Sequence, residues 1–144
     1  MPNYQHFALA EFIKSSTAER MGIDNTPSFE VVEHLSELVS TILEPLRIAW
    51  GRPIIVSSGF RCEALNSAVG GVADSAHVAG FAADLQVKGP AEEFFNYVAA
   101  WLKATGTKFD QLIIESNGRG AQWVHIGLYN RYGQQRGQIM EIRV

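Results

Sequence analysis

Four histidines occur in the 144 residues, at positions 6, 34, 77 and 125, and two of them have neighbours that suggest chemistry. His77 lies in the run Ser75-Ala76-His77-Val78-Ala79-Gly80-Phe81-Ala82-Ala83-Asp84. Gly80 allows a tight backbone turn after the histidine. Asp84 then falls on the polar side of an otherwise apolar strand, where a negative charge is costly unless it is paired or metal-bound. His125, in Trp-Val-His-Ile-Gly-Leu, is a second titratable group in an apolar setting. Two imidazoles and a carboxylate form a three-ligand zinc set with the fourth position open to water, the arrangement of a catalytic rather than a structural site. The same residues also allow a plainer reading, in which His77 and Asp84 form a hydrogen-bonded pair and His125 is a satisfied core residue. His34, beside Glu33 and Leu35 in a long helical pattern, reads as a surface or boundary residue, and His6 has no evident partner in the sequence.

Three strands must bring such a set together. In Phe81 to Val87, the residues Phe81, Ala83, Leu85 and Val87 share one face and Asp84 the other. In Phe109 to Glu115, Leu112 and Ile114 oppose Gln111, Ile113 and Glu115. In Gln122 to Leu128, Val124, Ile126 and Leu128 oppose Trp123 and His125. If these strands are neighbours in one antiparallel sheet, their polar groups converge on one surface. A further strand is expected over Ile54 to Ser57.

Helices are expected mostly in the first half. Phe7 to Ile13 reads as a short one. Thr26-Pro27 reads as a helix start, followed by Val31, Val32, Leu35, Leu38, Val39, Ile42, Leu43 and Leu46 at helical spacing. Pro45 should kink or end that helix and Gly51 close it. Glu63 to Val69 and Pro90 to Thr105 are further helices, stopped by Gly70-Gly71 and by Gly106. The fold class is therefore α+β, in a single domain covering residues 1–144.

The bulk numbers narrow the function. Hydrophobic residues at 47% and charged residues at 19% describe a globular chain. A net charge of -3 with no cluster of Lys and Arg argues against nucleic acid as a partner. No apolar run approaches the roughly 20 residues that span a bilayer, so no membrane partner is expected. Met1 to Ala10 does not read as a signal peptide, which predicts synthesis in the cytoplasm. The single cysteine, Cys62, excludes a disulfide framework and reads as a small buried hydrophobe. A monomer is expected.

The pattern Ser75-x-His77-x-x-Gly80-x-Ala82-x-Asp84, followed by Trp123-x-His125, resembles the zinc signature of the D-alanyl-D-alanine carboxypeptidase family, which includes phage endolysins that cut peptidoglycan peptides. Ser57-Ser58-Gly59-Phe60-Arg61, with Leu65-Asn66 and Gly70-Gly71, is similar to that family's Ser-Gly-Tyr-Arg segment. The resemblance runs from about Phe7 to Leu128. It implies a small central antiparallel sheet flanked by helices, with zinc in a cleft over the sheet. It further implies that His77, Asp84 and His125 hold Zn2+, that Arg61 grips a substrate carboxylate or neighbouring carbonyl, and that Ser75 lines the same cleft. Trp123 is a candidate cleft wall.

One position departs from the pattern. Many relatives carry an acid three residues before the last histidine, and here that residue is Gln122. The run Phe109 to Glu115 is similar to a strand of the hedgehog signalling domain that carries a glutamate, so Glu115 is the expected general base, with Asp110 behind it. The implied function is hydrolysis of peptide bonds in peptidoglycan stem peptides, as a carboxypeptidase or an endopeptidase, with release to the cell wall as a phage or prophage lysin. The alternatives are a non-catalytic zinc module that binds a partner and a metal-free domain that keeps only the fold.

Overall fold

The computed structural model describes residues 4–143, so residues 1–3 of the amino-terminal stretch considered above lie outside the described residues. The fold is α+β, as expected: a five-stranded sheet flanked by helices. The strands are β1 (Ile55–Ser58), β2 (Ala82–Gln86), β3 (Gln111–Ser116), β4 (Gln122–Gly127) and β5 (Gln138–Arg143), in the spatial order β1-β2-β4-β3-β5. The first four pair antiparallel, and β5 adds alongside β3 in parallel. β5 has no counterpart in the sequence reading. Its alternation is weak, and all but one of its residues are exposed, so periodicity alone does not reveal it.

The helices are α1 (Leu9–Ile13), α2 (Ser16–Met21), α3 (Phe29–Leu38), α4 (Glu44–Trp50), α5 (Glu63–Ala68), α6 (Ala76–Ala79) and α7 (Ala91–Thr105). The helix start expected at Thr26-Pro27 is displaced. Ser28 caps α3 by accepting from the Val31 N–H, while the Thr26 hydroxyl turns back to Asp24. Pro45 does not end the long helix. Instead Val39–Leu43 widens into a π-type turn between α3 and α4, with Pro45 in the first turn of α4, where a missing N–H is least costly. Gly51 then stops the helix in a left-handed conformation. Two short helices, α2 and α6, escape the sequence reading because one or two turns carry no measurable period.

Leu35, Leu38, Val39, Ile42, Leu43 and Leu46 are fully buried, as are Phe94 and Val98 of α7. They form one core with Ala83 and Leu85 of β2, Leu112 of β3, and Val124 and Ile126 of β4. Helices thus cover one face of the sheet. Strand alternation sends Asp84, His125, Ile113, Glu115 and Trp123 to the other face. No described helix is long and apolar enough to cross a membrane.

Candidate metal centre

The sheet register places the polar groups with little freedom. Asp84 on β2 stands opposite His125 on β4, and His125 stands opposite Ile113 on β3. In the next row, Trp123 stands opposite Glu115. A β-bulge displaces the β1–β2 register between Val56 and Ser58, so that Ser58 pairs with Asp84 and the chain then passes into Gly59.

His77 comes from off the sheet. It sits in α6, whose first N–H groups are capped by Ser75: the serine Oγ accepts from the His77 N–H at 3.2 Å. Gly80 ends this turn at φ +81° and returns the chain to β2. A Cβ at Gly80 would lie 2.9 Å from both Cγ1 and the carbonyl oxygen of Val31, so neither the conformation nor the space admits another residue without displacement. His34 braces the same corner. Its Nδ1–H donates to the Ala79 carbonyl at 2.7 Å, and its ring stacks on Phe81 with centroids 4.0 Å apart. This histidine is therefore a part-buried boundary residue, within the expectation, and a partnered support behind the turn.

His77, Asp84 and His125 are all buried, and one ligand atom from each lies within 4.8 Å of the others. The atoms form a nearly equilateral triangle. His77 Nε2 is 3.3 Å from His125 Nδ1 and 3.2 Å from Asp84 Oδ1, and His125 Nδ1 is 3.0 Å from Asp84 Oδ1. Ligands about 2.0–2.1 Å from a tetrahedral zinc ion are separated by about 3.3 Å, so the donor set fits such an ion in type, number and spacing. The His77 tautomer agrees. Its Nδ1 must carry the proton, because it donates to the Gly59 carbonyl at 2.7 Å, and this leaves a lone pair on Nε2. Burial alone would raise the Asp84 pKa, but the adjacent His77 and His125 more than offset this and hold it well below the usual carboxylate range. The carboxylate is thus ionised and available as a ligand.

The three groups lie in a cleft of about 740 Å³ together with Arg61, Ser75, Glu115 and Trp123. Every residue expected at the site therefore lines one cavity. Arg61 is half-buried; burial pulls its pKa down while Asp84 and Glu115 push it back up, and its Nε has no hydrogen-bond partner among the described residues. Its backbone is held by an N–H bond to the His77 carbonyl. The loop carrying it is pinned by Asn25, whose amide donates to the carbonyls of Ile13 and Phe60 and whose oxygen accepts from the Cys62 N–H. Asn25 carried no sequence signal, because its partners in that loop lie 35 and 37 residues away. Cys62 caps α5, with its Sγ accepting from the Leu65 N–H.

Glu115 accepts the Trp123 indole N–H at Oε2, 2.5 Å away. Gln122 belongs to the opposite side of β4 and lines a separate depression with Gly89, Pro90 and Ala91. Asp110 is not a free base. It is buried, and its two oxygens receive Arg136 Nε and Nη2 at 2.8 Å each, with the Arg136 backbone N–H adding a third bond at 3.1 Å. His6, without an evident partner in the sequence, contacts Glu44 at 2.5 Å.

A family model described as Peptidase M15 matches residues 5–127, and no curated protein matches the chain.

Proposed function

The chain belongs to the peptidase M15 family, a zinc-dependent group, and from that premise we propose that residues 1–144 form a single zinc peptidase domain that hydrolyses peptide bonds in peptidoglycan stem peptides. The observation that carries this reading is the buried His77–Asp84–His125 triangle on the floor of a cleft that also holds Arg61 and Glu115.

Bound zinc would supply Lewis-acid polarisation of the scissile carbonyl and a water acidic enough to lose a proton near neutral pH. The chain's own groups do the rest. Glu115 takes the proton from the attacking water and returns it to the leaving amine. Trp123 holds Glu115 by one carboxylate oxygen and walls the cleft, leaving the other oxygen for proton transfer. Arg61, which lines the cleft, presents its planar guanidinium to a substrate carboxylate or carbonyl oxygen. Ser75 keeps His77 in place through the cap it provides to α6. In this reading the protein acts as a monomer at the cell wall, released as a phage or prophage lysin.

The hydrogen bond from Trp123 to Glu115 also favours a second reading, a zinc module that binds a partner without cleaving it, because it gives the carboxylate a structural task of its own. Incubating the zinc-loaded protein with purified peptidoglycan, and weighing the released fragments by mass spectrometry, separates the two. New amine and carboxyl termini at one bond support hydrolysis and identify that bond. Intact peptides after prolonged incubation leave the binding module.

A further inference from the structure

We infer that Met140 and Ile142, on the face of β5 that continues the metal-bearing surface, form an apolar subsite for the peptide substrate about three residues from the scissile bond. The inference rests on the peptidase reading and adds to it a preference for chain length and side-chain type.

Register carries the geometry. Met140 stands opposite Ile113, which stands opposite His125, which stands opposite Asp84; Ile142 stands opposite Glu115 in the row of Trp123. The metal group and these two side chains therefore share one face. Neighbouring strands lie about 4.8 Å apart, so β5 is about 10 Å from β4. An extended peptide advances about 3.4 Å per residue, and one laid across the sheet from the metal group reaches β5 after about three residues.

The chemistry of that end of the cleft differs from the chemistry of its centre. Met140 and Ile142 are 36% and 41% exposed, while Ile113 beside them is 4% exposed. Both line the cleft. Asp110 nearby is neutralised by Arg136, Gln111 bonds Gln138, and Glu115, opposite Ile142, is turned to the Trp123 indole. Glu141 and Arg143 alternate to the far side of β5 and pair with each other. A neutral aliphatic side chain, such as the methyl of an alanine residue, gains there by burial, and a carboxylate or amine does not. The Arg136 clasp, the Gly137 N–H to the Phe109 carbonyl and the Gln138 N–H to the Asp110 carbonyl together fix where β5 begins. β5 and Arg136 lie beyond residue 127, the end of the family match. β5 is the edge of the sheet, so the competing occupant is a second copy of the chain.

The test uses zinc-loaded protein, the stem pentapeptide L-Ala-γ-D-Glu-L-Lys-D-Ala-D-Ala, which has an alanine three residues beyond its L-Ala–D-Glu bond, and the tripeptide L-Ala-γ-D-Glu-L-Lys, which ends before it. Cleavage is followed by mass spectrometry, and occupancy by methyl NMR of the methionine and isoleucine side chains. The Met140 and Ile142 resonances should shift saturably with the pentapeptide. The double variant Met140→Ser, Ile142→Ser should raise its half-saturating concentration about tenfold, and raise that of the tripeptide less. Cleavage without these shifts overturns the subsite and spares the peptidase. Shifts without cleavage spare the subsite and overturn the peptidase reading. Neither shifts nor cleavage overturns both. Sedimentation showing a dimer in the free protein that the double variant dissociates also overturns the subsite and assigns the edge to a second copy.

Discussion

The two sides of the cleft are built differently. On the metal side, α6, β2 and β4 present three buried side chains, each restrained by cross-strand register or by hydrogen bonds to backbone. Gly59 shows how tightly: a Cβ there would fall 2.6 Å from the backbone of Phe12, so the Gly59 carbonyl that orients His77 is held in a space that only glycine fits. On the far side, β5 is an edge strand whose residues are nearly all exposed, held at its start by the Arg136–Asp110 clasp and two backbone hydrogen bonds. The metal side has little freedom to change without losing the donor triangle. The far side can change its side chains while the sheet remains paired. Chemistry is thus expected to reside in the buried wall and substrate discrimination in the exposed one.

The sharpest way to break that contrast is at a ligand. His125→Ala or His77→Ala should abolish stoichiometric zinc binding and with it hydrolysis, because two donors cannot replace three. Elemental analysis after reconstitution at neutral pH checks this, and one zinc per chain with unchanged affinity in either variant would show that the triangle is not the metal site. Acidification should release the metal from the unmodified protein in the same assay, since protons compete for both imidazoles and the carboxylate.

Glu115→Gln comes next. It keeps the size of the side chain and its acceptor for the Trp123 N–H but removes the base. Turnover should fall by about 10²–10⁴-fold, with zinc content and melting temperature nearly unchanged. Full activity in this variant would place the base elsewhere and leave Glu115 as the anchor of Trp123.

Arg61→Lys should act more mildly, lowering kcat/KM by about 10–100-fold, the worth of a charge-assisted hydrogen bond whose bidentate geometry lysine cannot reproduce. Zinc content again serves as the control. Unchanged kinetics would assign Arg61 to holding the loop between β1 and α5.

The smallest effect on the metal is expected from the far wall. Arg136→Met strands the buried Asp110 carboxylate and should cost about 1–3 kcal/mol of stability, read as a melting temperature lower by several degrees, with zinc stoichiometry intact. Loss of zinc in Arg136→Met would show that the two walls are one mechanical unit and would end the distinction drawn above.

Much of the site is legible in the chain because its signals are local. His77, Gly80 and Asp84 lie within eight residues, and Trp123 and His125 within three, so the turn, the alternation and the polar intrusions into apolar strands can be read directly. The helices α3 and α7 are similarly plain from their apolar period, and the start of α3 was misplaced by the two residues over which a threonine and a serine compete as cap. The ten-residue spacing of the signature also made the family resemblance visible, and the match over residues 5–127 agrees with it.

What the tertiary structure decided are the partnerships between residues far apart. The chain contains Asp110 and Arg136, but only the parallel docking of β5 on β3 turns Asp110 from a candidate base into a buried clasp. His34 and Asn25 look unremarkable in sequence and become supports because the folded chain brings Ala79 to one and Phe60 and Cys62 to the other. The exclusion of Gln122 from the cleft follows from which face of β4 meets the helices. Local pattern specifies elements and the faces they present, because side-chain direction repeats along a helix or strand. It does not specify which elements meet, because that depends on burying all the apolar faces at once, and the contacts that complete this site are set by that global requirement.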